Sequence, residues 1–456
     1  MSSSVFELRA QRSGAAVDRR ETSLAWAWSV SALVLVVWLV PIKSYRLPVQ
    51  LPFSLELYRL GMLLLLAALG FGVVGGTRRI SAAGFAKPVL LLTAAGTLSV
   101  LVNAHAASQG TAVKALPYFL SFVVAYLLVC STIESVPAIE LVLRAVVLGG
   151  VVVALAAVYE SRTNYDVFDH LQQWFSFLVH TRVTEDAQRG TRLRVRASAQ
   201  HPIALGAALT LAVPVAAYLA GRASNRLRAL GWASAGALLA VGAFSTVSRT
   251  VVLMAAAMVV AALAVRGRAV RRWWPLAAAV VVAAHLAAPG ALGSLYHSFV
   301  PREGLIQSQT LRSGEVGSGR LADIAPGLQS WEHAPFFGHG LGTGSSTGSS
   351  GAPGAIVDPR TGAPIIFDDQ YLNSLVTIGF VGLLAVIWFV WGAAAQLVGT
   401  ARRVRSREGD LVAACAVSCA GFAAGMLTFD AFSFVQCTLL FFVLAALGLR
   451  ARALLA

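Results

Sequence analysis

The chain has 456 residues, of which 57% are hydrophobic and 12% charged, with a mean hydropathy of +0.72. A water-soluble domain is excluded by those figures. The net charge of +15 invites a nucleic-acid partner, but the placement of the arginines assigns most of the excess to membrane sidedness instead.

Runs of about 20 apolar residues can each cross a hydrocarbon core of about 30 Å. Backbone amides inside lipid must bond internally, so each run is read as a helix. Spans are expected near 24–42, 56–75, 85–104, 115–132, 141–159, 202–220, 229–246, 250–265, 273–289, 371–397, 410–428 and 432–449. The fold class is all-α: a polytopic membrane protein of about 12 transmembrane helices. Residues 1–23 form a cytoplasmic N-terminal tail, and 24–456 a single membrane domain. The first run lacks a small-residue cleavage site and reads as a signal anchor.

Arginine clusters follow the even-numbered runs. Arg9, Arg12, Arg19 and Arg20 precede the first run, and Arg78 and Arg79 follow the second. Arg222, Arg226 and Arg228 follow the sixth; Arg266, Arg268, Arg271 and Arg272 follow the eighth. Arg402, Arg403, Arg405 and Arg407 follow the tenth, and Arg450 and Arg452 the twelfth. By the positive-inside rule both termini are expected in the cytoplasm. The two long polar connections, 160–201 and 290–370, then face outward, the second lying between helices 9 and 10.

The first outer loop opens with Val167, Leu171, Trp174 and Leu178 at helical spacing, which predicts a short amphipathic helix on the membrane surface. It then becomes basic, with Arg182, Arg189, Arg192, Arg194 and Arg196. Positive charge on the outer face runs against the sidedness bias. It serves either anionic headgroups or a pyrophosphate site, and Arg196 stands out because it enters the next span. In the second loop Leu321, Ile324, Leu328 and Trp331 share a helical face, with Ser318 as N-cap and Pro326 as a kink. The tract that follows carries Gly338, Gly340, Gly342 and Gly344. It follows no strand and opens no helix, so a flexible lid is expected rather than a nucleotide loop.

Several single residues carry two readings each. Arg249 lies between two runs, flanked by Ser245, Thr246, Ser248 and Thr250; it is either a snorkelling anchor or a member of a polar pocket. Glu56 and Arg59 are close enough to pair on one helix face. His201, before Pro202, is an outer ligand or a helix-start residue, and His339 sits between glycines. Asp368 and Asp369, with Gln370 and Tyr371, open a long apolar helix. As N-terminal acids they favour the helix dipole, and the same place suits a general base. Asp430, at the last outer turn, has both readings too. Cys415 and Cys419 share a face at i, i+4 without a His or acid beside them, and are read as packing residues.

In this order the pieces resemble the O-antigen ligase and polymerase superfamily. The motifs are Arg196 with His201, Pro202 and Gly206; Ser248–Arg249; Arg320 through Pro335 to Gly338–His339–Gly340; and Asp368–Asp369–Gln370–Tyr371–Leu372 followed by Gly379 and Gly382. The similarity covers roughly 190–400 by motif and the whole chain by topology. Where many ligases have His in the last motif this chain has Asp368, which points toward the polymerase side. The resemblance implies a GT-C-like membrane enzyme that transfers a glycan from a polyprenyl-diphosphate donor to an acceptor sugar at the outer face of the bacterial cytoplasmic membrane, with inversion. It implies Asp368, Asp369, Arg320 and Arg249 as catalytic residues. Arg196, Arg194, His201, His339, Tyr371 and Asp430 are then the substrate-binding set. Partners are the lipid-linked donor, a glycan or lipid-linked acceptor and membrane lipids, with no nucleic acid. No cofactor or metal is expected, since arginines supply the charge a leaving diphosphate needs. The competing class is a transporter or flippase of lipid-linked saccharides. Carriers of this size usually carry a repeat between halves and ionisable residues deep in the bundle. A non-enzymatic envelope scaffold is the third class.

Overall fold

The computed structural model describes residues 22–49, 55–103, 111–181, 188–189, 192–270, 282, 286, 324–343 and 367–455. The chain is an all-α polytopic membrane protein. Ten helices among the described residues are long and apolar enough to cross a membrane. These are α1 (Thr22–Leu39), α2 (Leu57–Val74), α4 (Thr111–Thr132), α5 (Val136–Thr163), α6 (Pro202–Arg222), α7 (Arg226–Ser245), α8 (Arg249–Val270), α10 (Gln370–Arg403), α11 (Arg407–Gly425) and α12 (Val435–Leu455). The apolar helix α3 (Ala86–Val102) is slightly shorter, and α9 (Ile324–Glu332) is a loop helix. The run expected at 273–289 lies outside the described residues, apart from Val282 and Leu286, as do Ser318, Arg320 and Leu321.

Helix starts follow local capping chemistry. His201 caps α6 by accepting the Ile203 N–H at 3.2 Å, with Pro202 in the first turn. Asn225 caps α7 by accepting from Arg228 at 2.8 Å, and Ser406 caps α11 by accepting from Gly409 at 3.3 Å. The centre of the bundle is α6, α11 and α12, in which 83%, 83% and 72% of the spanning window is buried, against 22% in α2 and α7. Small residues let α11 and α12, and α5 and α7, approach closely. A Cβ at Gly448 would come within 2.7 Å of Cys415 Cβ, and one at Gly242 within 2.9 Å of Ala154 Cβ. All four cysteines are free and buried.

The connections sort to two ends. At the basic end Arg78 pairs with Glu134 at 3.3 Å, and Arg266 with Asp410 at 2.8 Å. Arg450 Nε donates to the Ile133 carbonyl at 2.9 Å. At the opposite, loop end Lys43 Nζ donates to the Ser433 carbonyl at 3.1 Å, and Tyr118 Oη to Glu56 at 2.7 Å. There the short strand Tyr45–Arg46 pairs antiparallel with Val179–His180.

Two local expectations change. The stripe in the first outer loop is split: Val167–His170 is a 3-10 turn and Leu171–Trp174 a single α turn. Phe168, Leu171 and Leu178 are buried whereas Trp174 is 61% exposed. In α9 the buried residues are Pro326 and Gly327, while Ile324 and Leu328 are exposed. Gly327 packs so near Phe367 that a Cβ would stand 2.9 Å from its ring. The charges of Glu56 and Arg59 attract each other, as expected; Glu56 also accepts the Lys43 N–H at 2.7 Å and the Tyr118 hydroxyl, and the Arg59 guanidinium lies 3.9 Å from the Tyr118 ring centre.

Candidate active site

The turn between α11 and α12 is a hub for segments far apart in sequence. Gln370, the first residue of α10, donates its N–H to the Met426 carbonyl at 2.9 Å. Its side-chain oxygen accepts the Phe432 N–H at 2.6 Å. Thr250, next to Arg249, bonds Thr428 at 2.9 Å. Gln200 accepts the Val435 N–H at 3.0 Å, and the His201 ring stacks on Phe434 with centroids 5.4 Å apart. Lys43 reaches Ser433 from the first connection. Each of these bonds satisfies a backbone or side-chain group that would be costly to bury alone.

Asp430 sits within this hub, 2% exposed. Ser433 Oγ donates to its carboxylate, and Asn373 and the Lys43 charge face it as well. Burial pushes its carboxyl up to about 6 despite those partners.

The arginines divide into two environments. The backbone N–H groups of Arg196 and Ala197 both donate to Glu160, at 3.1 and 2.8 Å. The Arg196 guanidinium binds Asp169 and lies 3.4 Å from Asp166. Burial and the neighbouring Asp169 raise the Asp166 carboxyl to about 6, with Arg196 opposing. Arg196 is thus the cation of a buried acidic cluster. Arg194 points elsewhere: its Nε donates to the Thr246 carbonyl at 3.4 Å, on the turn that leads into Arg249. Of the arginines expected near one another, Arg194 and Arg249 share a turn, Arg196 stands with Asp166 and Asp169, and Arg320 lies outside the described residues.

The glycine tract is docked as far as it is described, not set apart as a lid. α10 is broken at Gly379, where φ is 72°. A broken helix leaves carbonyls and amides without intrahelical partners, and in a membrane those must be met by other groups. The 335–340 segment meets them. Phe380 N–H donates to the Pro335 carbonyl at 2.8 Å, while the N–H groups of His339 and Gly340 donate to the Val376 and Thr377 carbonyls, each at 3.0 Å. Ser99 Oγ adds a bond to the Thr377 carbonyl at 2.8 Å, and Asn103 Nδ2 one to the Gly338 carbonyl at 3.0 Å. The His339 ring holds α9 in place through Nε2, 2.7 Å from the Ser330 carbonyl and 3.1 Å from Ser330 Oγ. Gly344 and the stretch up to 366 lie outside the described residues.

The paired acids separate in role. Asp369 is the N-cap of α10 and accepts the N–H groups of Tyr371 at 2.7 Å and Leu372 at 3.2 Å. Asp368, one residue earlier and half-buried, is not that cap. Tyr371 Oη donates to the Ala423 carbonyl at 2.8 Å, which ties α10 to α11. Sequence reasoning missed Lys43, Gln200, Asn373 and Thr428, and named Gln370 within its motif without giving it a role. Polar residues at the ends of apolar runs were the available signal.

An apolar cavity of about 580 Å³ lies between α6, α7, α8 and α11. Its walls include Phe244, Val251 and Met258, and it extends to Arg266 and Asp410 at the basic end. Because Val251 lines its other end, the cavity reaches within two residues of Arg249 along α8. Among the described residues no group of three His, Cys, Asp or Glu is arranged to hold a metal ion.

Residues 234–387 match a family described as O-antigen ligase. A comparison with curated proteins finds no match. The matched stretch contains Arg249, Arg320, His339, Asp368, Asp369 and Tyr371, while Arg194, Arg196, His201 and Asp430 fall outside it. Over those residues the chain is similar to the O-antigen ligase family, in agreement with the resemblance carried by its motif order.

Proposed function

We propose that this protein moves a glycan from a polyprenyl-diphosphate carrier to an acceptor sugar hydroxyl, with the loop end on the outer face of the bacterial cytoplasmic membrane. The observation that carries the reading is the hub. Thr250, Gln370 and Asp430 meet at one turn, which brings the Arg249 and Asp368 segments together, and Val251, two residues after Arg249 on α8, lines an apolar cavity. The cavity suits a prenyl chain, and Arg249 with Arg194 suits the diphosphate that joins the chain to the sugar.

The chemistry follows from charge. The bond between the anomeric carbon and the diphosphate oxygen breaks, and its electron pair leaves with the diphosphate. Guanidinium groups bind such an oxyanion through two parallel hydrogen bonds and remain charged at any physiological pH. They stabilise the departing group without taking a proton. The acceptor hydroxyl attacks the anomeric carbon from the opposite face, which inverts its configuration, and its proton passes to a carboxylate. Asp368 is the group we assign to that proton, because Asp369 is committed to capping α10. Asp430 holds the hub in register with Asn373 and Lys43. No metal has a step in this scheme.

The test is a purified full-length protein given a polyprenyl-diphosphate donor with a labelled glycan and a separate acceptor. The expected result is label on the acceptor with release of polyprenyl diphosphate. Movement of the intact donor across vesicles, with no new glycosidic bond, overturns the reading in favour of a carrier.

A further inference from the structure

A second cavity, of about 1170 Å³, opens at the basic end between α5 and α7. Its rim holds Arg144, Arg222, Arg228 and Arg407, and a single carboxylate, Glu140, lies in the wall. Glu140 is already shared. It accepts from Tyr218 Oη at 2.8 Å and from Arg222 Nε at 3.0 Å, and it lies 3.5 Å from Arg144. Arg228 donates to Ser224 at 3.0 Å. Arg407 is exposed, with Glu408 as its sequence neighbour. Glu408 also faces Arg222 and Arg407, so four arginines stand against two carboxylates and the rim keeps an excess of positive charge.

The walls behind the rim are apolar or small: Leu148 and Val151 on α5, and Gly231, Trp232, Ala235 and Leu238 on α7. From Arg228 to Leu238 the helix rises about 15 Å, and from Arg144 to Val151 about 10 Å. Those depths correspond to one leaflet of a core of about 30 Å. A groove one leaflet deep with a cationic rim fits one phospholipid molecule in both respects. The same features fit a second protein chain poorly, since four clustered arginines would meet their own copies.

We propose that this groove binds an acidic phospholipid of the leaflet at the basic end, with its phosphate among Arg144, Arg222, Arg228 and Arg407 and an acyl chain along α7. Basic pockets between transmembrane helices recognise such headgroups by charge at close range. The assignment is independent of glycosyl transfer. It adds a structural lipid on the face opposite the hub, where α7 has few buried residues of its own.

The full-length protein is extracted in mild detergent, exchanged into phosphatidylglycerol or phosphatidylcholine, and its retained lipid counted by native mass spectrometry. Phosphatidylglycerol should be retained roughly tenfold better than phosphatidylcholine. The double variant Arg144→Gln, Arg228→Gln should lose most of that preference. Arg403→Gln with Arg405→Gln removes the same charge elsewhere on the basic end and should keep it. A Cβ at Gly231 meets nothing within 4 Å, so Gly231→Phe fills the groove without touching a charge and should also displace the lipid. Fluorescence of Trp232 should be quenched by phosphatidylglycerol with brominated chains, and the Trp232→Phe variant should lose that component. Equal retention of both lipids, an equal loss in the control pair, or a dimer cross-linked through α7 would each overturn the proposal.

Discussion

Gly338 and Gly379 face each other across the joint between the loop and α10, and neither position has room for a side chain. Both have left-handed φ, 66° and 72°. A Cβ at Gly338 would stand 2.4 Å from the Thr377 carbonyl carbon, and one at Gly379 would stand 2.2 Å from the Phe336 carbonyl oxygen. Backbone lies on both sides of each contact, so no side-chain rotation relieves it. The break in α10 and the docking of 335–340 are therefore one feature, and α9 and the Asp368 helix start are held relative to each other by it.

Gly338→Ala and Gly379→Ala should each undock the segment. Left-handed backbone alone costs a non-glycine residue about 1–2 kcal/mol, and the steric contact adds to that. Melting in detergent should shift down by several degrees in both variants, with transfer activity falling further than stability. Gly70, where a Cβ meets nothing within 4 Å, provides the control. Gly70→Ala should melt within a degree or two of the wild type, and an equal drop there would mean that glycine loss in general, not this joint, is being measured.

Arg249 and Arg196 should fail in different ways. Arg196 neutralises a buried group of acids, and removing one partner of a buried pair typically costs about 3–5 kcal/mol. Arg196→Ala should therefore lose folded protein. Arg249→Lys keeps the charge but not the planar fork. It should fold normally and lose turnover by on the order of tenfold or more, and Arg194→Lys should behave in the same manner. Normal turnover of folded Arg249→Lys would make this residue an anchor.

Much of this division was beyond the reach of the sequence. The apolar runs and the alternation of arginines made the helices and their two ends legible, because membrane thickness and charge sidedness act on sequence directly. The motif order brought Arg249 and Asp368 forward, and the place of Asp430 at a turn brought it forward too, for the same reason: polar residues beside apolar runs are conspicuous. What stayed hidden depends on side-chain direction. Arg194 and Arg196 are two residues apart in a basic stretch, and nothing in their spacing says that one turns to Thr246 and the other to Asp169. The joint at Gly379 was hidden too, since a glycine inside an apolar run reads as an ordinary helix residue.

Stability should depend on pH through Asp166 and Asp430. Both carboxyls are raised from about 3.8 to about 6 in the folded protein, mainly by burial. A raised acid makes the folded state hold its proton at pH values where the unfolded chain has lost it. Stability from these groups is then fully present below about 4, declines as pH rises toward 6, and is level above. The decline is on the order of 1–3 kcal/mol per group. Asp430→Asn cannot titrate, so its melting temperature should fall less between pH 4.5 and 6.5. An unchanged slope in that variant would assign the titration to other groups.

Sidedness has a direct test. Cysteines placed at Ala187 and Ser350, in the two long polar connections, should react with an impermeant maleimide on intact cells, and one at Ser406 should not. The native cysteines are buried and give little background. Labelling of Ser406→Cys from outside would invert the orientation and move the hub to the cytoplasm.

Asp368 and Asp369 supply the sharpest contrast because they are adjacent and chemically identical. Asp369 accepts two backbone N–H groups at the start of α10. Asn preserves that cap nearly as well as Asp, whereas Ala costs about 1 kcal/mol. Asp369→Asn should therefore keep both fold and turnover, and Asp369→Ala should lose a little stability. Asp368→Asn leaves the cap untouched but removes the carboxylate that would receive the acceptor proton. It should fold normally and still bind donor, because the arginines are intact, yet turn over at least about a hundredfold more slowly, the low end of what a positioned base contributes. If Asp368→Asn stays active while Asp369→Asn does not, the base has been assigned to the wrong neighbour. If both remain active, no carboxylate at this helix start takes the proton, and catalysis rests on positioning and on the charge that the arginines present to the leaving diphosphate.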